Sequence, residues 1–118
     1  MRLEFYFPSK SKYGDYLWDF YPETYARIRD LIESALINRF GGYSQHLVEG
    51  AYKVPARSIG DLGRTVFEDT TVYTVFVKPR FLERGTIIKD AGKILQRIKY
   101  PLKQDSVLLV VDNDPHFL

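Results

Sequence analysis

Residues 22–42, PETYARIRDLIESALINRFGG, carry the strongest structural signal in this 118-residue sequence. Pro22 suits the first turn of a helix, and Glu23 complements the positive end of the helix dipole. Apolar residues follow at spacings of three and four: Ile28, Leu31, Ile32, Ala35 and Leu36. The closing pair of glycines tolerates the left-handed geometry of a helix stop. This pattern predicts an amphipathic helix over residues 22–39.

Four strands are predicted on either side of this helix. Residues 2–7 alternate apolar and polar side chains, as half-buried strands do. Residues 43–53 alternate less cleanly, whereas residues 65–77 are rich in β-branched and aromatic side chains. Residues 107–111 form a short apolar run that fits a buried strand. After it, we expect residues 112–115 to turn the chain outward into a short tail.

A second helix is predicted from Thr86, whose hydroxyl can cap free amides, through Ile98 or beyond. Its apolar stripe consists of Ile87, Ala91, Ile94, Leu95 and Ile98. Pro101 disfavours helical geometry at the residue before it. The helix therefore ends near Lys99 or is kinked there, and the sequence leaves both outcomes open.

The order strand, helix, strand, strand, helix, strand predicts an α+β fold. The arrangement that it favours is ferredoxin-like βαββαβ, with a four-stranded antiparallel sheet and two helices on one face. The chain length suits a single domain over residues 1–118.

In such a fold, the sheet face without helices must meet water, a ligand or another subunit. The side chains expected there are Tyr6, Tyr43 or Tyr52, Tyr73, and Leu108 or Val110. Large exposed apolar patches commonly mark interaction sites, so we predict a homodimer through this face. The alternative is that residues 9–21 or 54–65 cover it as a lid.

Composition excludes several classes of site and partner. The chain has no cysteine, which rules out disulfides, thiolate metal ligands and a cysteine nucleophile. Seventeen Lys and Arg against fifteen Asp and Glu leave a net charge of +2, which disfavours nucleic acid as the main partner. No apolar stretch is long enough to span a membrane, and Glu4 interrupts any signal peptide. We therefore expect a cytoplasmic protein with no membrane partner.

His46 is the internal histidine of the chain and lies near Glu49, with Glu68 entering the neighbouring strand. A histidine held by a carboxylate can act as a general base near neutral pH, so these three residues are the catalytic candidates. The alternative is a cross-strand hydrogen bond or ion pair of purely structural value. His116 lies far from His46 in the sequence, so no metal site and no cofactor are predicted.

Two further patterns point to binding. The aromatic side chains of Tyr43, Tyr52, Tyr73 and Trp18 are candidates for contact with a small ligand. Lys89, Lys93 and Arg97 recur every four residues on the second helix and form a basic stripe that could lie along phosphates. Charges opposite an apolar stripe are more often a solvated face.

Three segments carry a resemblance: residues 38–43 (NRFGGY), residues 50–52 (GAY) and residues 104–108 (QDSVL). They resemble a family of small bacterial proteins of unknown function. The resemblance implies a ferredoxin-like fold and assigns no catalytic residue.

These observations support three hypotheses about function. The leading one is a self-associating ferredoxin-like module that binds a small molecule or a protein. The second is a small enzyme whose inter-subunit cavity holds His46 and a nearby carboxylate. The third is a nucleic-acid-associated protein that uses its basic second helix. The residues alone leave open whether the chain is an enzyme.

Overall fold

The computed structural model describes residues 1–54 and 64–118, with the backbone alone at 51–54 and 64–67. This part of the chain forms an α+β fold with a five-stranded antiparallel sheet and three helices. The elements in chain order are β1 (Arg2–Phe7), α1 (Leu17–Phe20), α2 (Pro22–Phe40), β2 (Ser44–Val54), β3 (Arg64–Phe76), α3 (Arg84–Lys99), β4 (Leu108–Val111) and β5 (Asp114–Phe117). The predicted α+β class is confirmed.

The spatial order of the strands is β2-β3-β1-β4-β5, and every neighbouring pair is antiparallel. Helix α2 connects β1 to β2, which run in the same direction with β3 between them. Helix α3 connects β3 to β4 in the same way, with β1 between them. Strand β1 therefore lies at the centre of the sheet and is paired on both sides.

The hydrophobic core lies between one face of the sheet and the two long helices. Leu3, Phe5 and Phe7 of β1 are buried on this face. They belong to one cluster with Ile28, Ile32 and Leu36 of α2 and with Ala91, Leu95 and Ile98 of α3. The period of two in β1 and the spacing of three and four in the helices place these side chains on facing surfaces.

Helix α2 matches its prediction closely, since it begins at Pro22 and ends at Phe40. Gly41 caps it with a φ of +87°, and the Gly41 amide donates to the carbonyl of Ile37 at 2.8 Å. Such a left-handed residue is strained for any side chain that carries a Cβ, which is why glycine stands at the helix stop.

Helix α3 differs from its prediction at the start. It begins at Arg84, so Thr86 lies within the first turn and does not cap the helix. Glu83 is the capping position, and its carboxylate accepts from the backbone amide of Arg80 at 3.0 Å. At the other end, the helix stops at Lys99, which resolves the choice that Pro101 left open.

The predicted four-stranded sheet and outward tail are wrong, because residues 114–117 form a fifth strand, β5, on β4. Asp112 and Asn113 have φ values of +48° and +69° and form the two-residue turn between these strands. Positive φ at both central residues is the geometry of the tight hairpin turns that fit the twist of paired strands. Pro115 is tolerated because β5 is an edge strand.

The connection from β1 to α2 contains a short helix that the sequence did not predict. In α1, Leu17 is fully buried and belongs to the core cluster on the helix side of the sheet. The Leu17 amide donates to the carbonyl of Ser9 at 2.9 Å, and that of Lys12 donates to the carbonyl of Lys103 at 2.9 Å. This connection is therefore packed structure that is anchored to the end of α3.

The hairpin of β2 and β3 extends beyond the rest of the sheet. Strand β1 pairs with residues 71–76 of β3, whereas β2 pairs with residues 64–74. Residues 64–70 of β3 thus have a strand neighbour on one side only. Of residues 54–65, the segment predicted as one alternative lid over the sheet, residues 55–63 lie outside the described residues. Within the described ranges, none of the helices has both the length and the apolar character that a bilayer span requires.

We predict that Leu95→Ala lowers the free energy of unfolding by about 2–5 kcal/mol, because it removes a fully buried side chain from the centre of the core. Leu82→Ala is the matched control, since Leu82 is 82% exposed and should change stability by about 0.5 kcal/mol or less. Urea denaturation of both variants checks this. Equal effects at the two positions would contradict the core assignment.

Candidate functional site: the open face of the sheet

The sheet face that α2 and α3 do not cover, here called the open face, carries the even-numbered residues of β1, β2 and β3. Register places Tyr6 of β1 opposite Val72 of β3, and His46 of β2 also opposite Val72. On the other side, Phe5 pairs with Leu109, so Leu108 lies beside Tyr6, and Leu108 pairs with Phe117. One row of side chains therefore crosses all five strands.

Most of this row is apolar. We call Val72, Tyr6, Leu108 and Phe117 the apolar row; His46 stands at its end on β2. Val72 is fully buried between its neighbours, Tyr6 and Leu108 are half-buried, and Phe117 is 71% exposed. Partial burial is the main cause that raises the pKa of the Tyr6 hydroxyl above its usual value, with Glu4 adding to the shift.

Polar groups flank the apolar row above and below. Above it, Arg2 and Glu4 form an ion pair at 3.2 Å on β1. Below it, Thr70 and Glu68 of β3 occupy the open face next to the end of β1. The upper margin also carries Phe76 of β3, which pairs with Arg2 and is 73% exposed, so the open face combines the apolar row with margins of mixed polar and apolar character.

A cavity of about 340 Å³ opens at the lower margin of the apolar row. Its walls include Tyr6, Leu108 and Phe117 of that row, together with Pro8, Glu68 and Thr70. The volume falls in the range of small-molecule sites, which are mostly apolar with a few convergent polar groups. This cavity is the strongest candidate ligand site on the open face.

Glu68 is the carboxylic acid that lines this cavity. Its Oε2 accepts from the Ser9 amide at 3.1 Å, the Ser9 hydroxyl at 3.1 Å and the Lys10 amide at 3.0 Å. Pro8 ends β1 and turns the chain, which presents these donors to the carboxylate. Burial raises the pKa of Glu68 above its usual value, and the hydrogen bonds from Ser9 and Lys10 partly offset that shift.

His46 does not meet the other two predicted catalytic residues in this structure, whereas Glu49 and Glu68 both line a cavity of about 240 Å³ together with Tyr16 and Asp69. His46 and Glu49 are an odd number of positions apart on β2, so they lie on opposite faces of the sheet. Glu68 shares the open face with His46 but lies four positions along β3 from the partner of His46, about 13 Å away at the rise of a strand. The hypothesis that they form a catalytic group stays a prediction.

The predicted placement of Tyr43 and Tyr73 on the open face is wrong. Tyr73 pairs with Phe5 and lies in the core on the helix side, with 0% of its surface exposed. Tyr43 packs edge-on against it with ring centroids 5.0 Å apart. The Tyr73 hydroxyl donates to Glu33 Oε2 at 2.7 Å, so α2 satisfies the polar end of this buried ring. Tyr52 has a described backbone but no described side chain.

Trp18 lies at the surface of the β1–α2 connection, 44% exposed. It stacks on Tyr16 with ring centroids 4.5 Å apart and meets Tyr25 edge-on at 6.0 Å. Tyr25 in turn meets Phe7 edge-on at 5.5 Å. This chain of rings anchors the connection to the core, and a ligand role for Trp18 stays a prediction.

Among the described residues, no three His, Asp or Glu side chains are grouped closely enough to hold a metal ion. His116 lies in β5, with Nε2 3.9 Å from an Asp114 carboxylate oxygen. Phe117 is the functional candidate that the sequence analysis missed. The consecutive Asp112 and Asn113 after an apolar run were the available signal, because these residue types favour tight hairpin turns.

Comparison with family models, curated proteins and solved structures yields no match to this chain.

We predict that Tyr73→Phe lowers the free energy of unfolding by about 2 kcal/mol, since it removes a hydrogen bond to a carboxylate at a buried position. Tyr100→Phe removes a hydroxyl at a site that is 78% exposed and should leave stability within about 0.5 kcal/mol of wild type. Thermal and urea denaturation measure both changes. A Tyr73→Phe variant as stable as wild type would contradict the role assigned to Glu33.

We predict that the contribution of Glu68 to the free energy of unfolding depends on pH. The pKa of Glu68 is raised in the folded state above its usual value of 4.5. At a pH just above 4.5, the folded state therefore binds more protons than the unfolded chain does. The contribution of Glu68 to stability is therefore fully present at low pH and is lost as pH rises through this window. Glu68→Gln keeps an acceptor oxygen for Ser9 and Lys10, so the variant should gain stability relative to wild type as the pH rises above 4.5.

Urea denaturation at several pH values measures this difference. A difference between Glu68→Gln and wild type that does not change with pH would show that burial leaves this carboxyl unperturbed.

Proposed function

We propose that the chain is a ferredoxin-like binding module that works as a homodimer, with the open faces of two copies packed against each other. The strand order β2-β3-β1-β4 with antiparallel neighbours, and the two long helices on one face, support the ferredoxin-like topology. Strand β5 is an addition at the β4 edge.

The apolar row is the observation that carries this proposal. Phe117 exposes 71% of its surface, and Tyr6 and Leu108 are only half-buried. Removing apolar surface from water contributes about 25 cal/mol per Å² before the costs of association are subtracted. A face that is crossed by such a row is more stable against another protein surface than against water.

A second copy is the partner that this row fits best. The row crosses every strand of the face, so it meets itself when two copies pack about a twofold axis that lies along it. Twofold homodimers use the same patch on both subunits and are the commonest oligomers. The charged groups that flank the row, Arg2, Glu4 and Glu68, then lie toward the rim, where they can keep contact with water.

The cavity beside Glu68 supports a ligand at the same interface. In the proposed dimer, the second copy covers the part of the cavity that Phe117 and Leu108 line. Apolar walls and one hydrogen-bonded carboxyl suit a small molecule with an apolar body and a polar group that donates to Glu68. Self-association and small-molecule binding are thus two uses of one surface.

We predict that Phe117→Glu weakens the dimer by about 30-fold or more, because it places a charge where an aromatic side chain is buried. Sedimentation equilibrium measures the association constant. Phe81→Glu is the matched control: Phe81 is 92% exposed on the β3–α3 turn, outside the open face, and its replacement introduces the same charge.

Two results would contradict the proposal. One is a wild-type protein that stays monomeric at the highest accessible concentration. The other is a dimer that Phe81→Glu weakens as much as Phe117→Glu does, since that would place the interface elsewhere.

A further inference from the structure

A groove between α2 and α3 is a concave feature that the proposed dimer does not use. Its volume is about 420 Å³, and it lies on the helical side of the sheet. Its lining includes Ala35 and Arg39 of α2 and Asp90, Lys93, Ile94 and Arg97 of α3.

The sequence places these side chains on facing surfaces of the two helices. Asp90, Ile94 and Arg97 are four and seven positions apart, which is one face of an α-helix. Ala35 and Arg39 are four apart on α2, and Asn38 lies between them and also lines the groove. The base is apolar, since Ile94 is 8% exposed and belongs to the core cluster.

The charges of the groove are unbalanced. Arg39 is held in place, because its Nε lies 2.9 Å from Asp90 Oδ2 and its guanidinium lies 5.1 Å from the centre of the Phe40 ring. Lys93 and Arg97 have no acidic partner among the residues that the structure describes. Three cations thus share one carboxylate, and two of the cations are available to a ligand.

Lys93 and Arg97 are four residues apart on one helix, so their side chains can converge on a single group. A phosphate group carries up to two negative charges and several oxygens that accept hydrogen bonds. Arginine binds phosphate through two parallel hydrogen bonds, whereas lysine contributes a mobile point charge. Ala35 and Ile94 supply an apolar surface for the part of the ligand that carries the phosphate.

We propose that the groove between α2 and α3 binds a phosphate-bearing ligand, with Lys93 and Arg97 on the phosphate and Arg39 fixed beside it by Asp90. This site is separate from the open face and does not depend on the dimer. Phosphate groups occur both in free phosphorylated metabolites and in the phosphodiester backbone of a nucleic acid. Part of the basic stripe of α3 thus lines a groove that α2 completes. The periodicity of α3 alone does not predict this groove.

Isothermal titration calorimetry with two probes tests the site: inorganic pyrophosphate and a single-stranded oligonucleotide of twelve thymidines. We expect Lys93→Gln and Arg97→Gln each to weaken binding about tenfold, as the loss of one charge-assisted hydrogen bond does. Lys89→Gln is the matched control, since Lys89 is exposed on the same helix outside the groove and its replacement removes the same charge. All three side chains are exposed, so the variants should fold.

Each outcome either supports or overturns the proposed phosphate site. Pyrophosphate binding that is lost in Arg97→Gln but kept in Lys89→Gln supports the site with a small phosphorylated ligand. Oligonucleotide binding with the same pattern, without pyrophosphate binding, supports it with a nucleic acid as the source of phosphate. Equal losses in Arg97→Gln and Lys89→Gln, or the absence of binding by either probe at millimolar concentration, overturns the proposal.

Discussion

The contact of β1 with the two long helices is the constraint on which the rest of the structure depends. Every inward-facing position of the central strand holds a large apolar side chain that packs against the core of α2 and α3. These side chains are Leu3, Phe5 and Phe7. Because β1 pairs with β3 on one side and with β4 on the other, this contact also determines which side chains of these two strands lie on the helix side of the sheet. Every even-numbered residue of β1 is then left on the side opposite α2 and α3.

Two surfaces of different character follow from that one-sided layering. The open face has an apolar row, the exposed Phe76 and a cavity beside Glu68, which suits contact with another protein surface. The helical side is basic instead, since a groove between α2 and α3 combines an apolar base with Lys93 and Arg97, which have no acidic partner in the described part of the chain. A protein that dimerises through the first surface still presents the second to solvent in both copies.

Periodicity predicted the elements well where one face of an element is uniformly apolar. Helix α2 and strand β1 have that property, and their bounds agree with the structure to within one residue. It failed at β5, a four-residue strand with a proline and no alternation, which exists because the turn at Asp112 and Asn113 folds it onto β4. It also misplaced Tyr73, because β3 has large side chains on both faces and only its register with β1 decides which face is inside.

The sequence by itself determined the class of fold, the two long helices and the central strand, because these depend on spacing within short segments. It also excluded cysteine chemistry outright. Only the tertiary structure decided which residues meet across strands: it separated His46 from Glu49 and Glu68, joined Phe117 to Tyr6 in one row, and brought Arg39 to the basic stripe of α3. The physical reason is that a shift of one residue in strand pairing reverses the face of every side chain, and no local pattern specifies that shift.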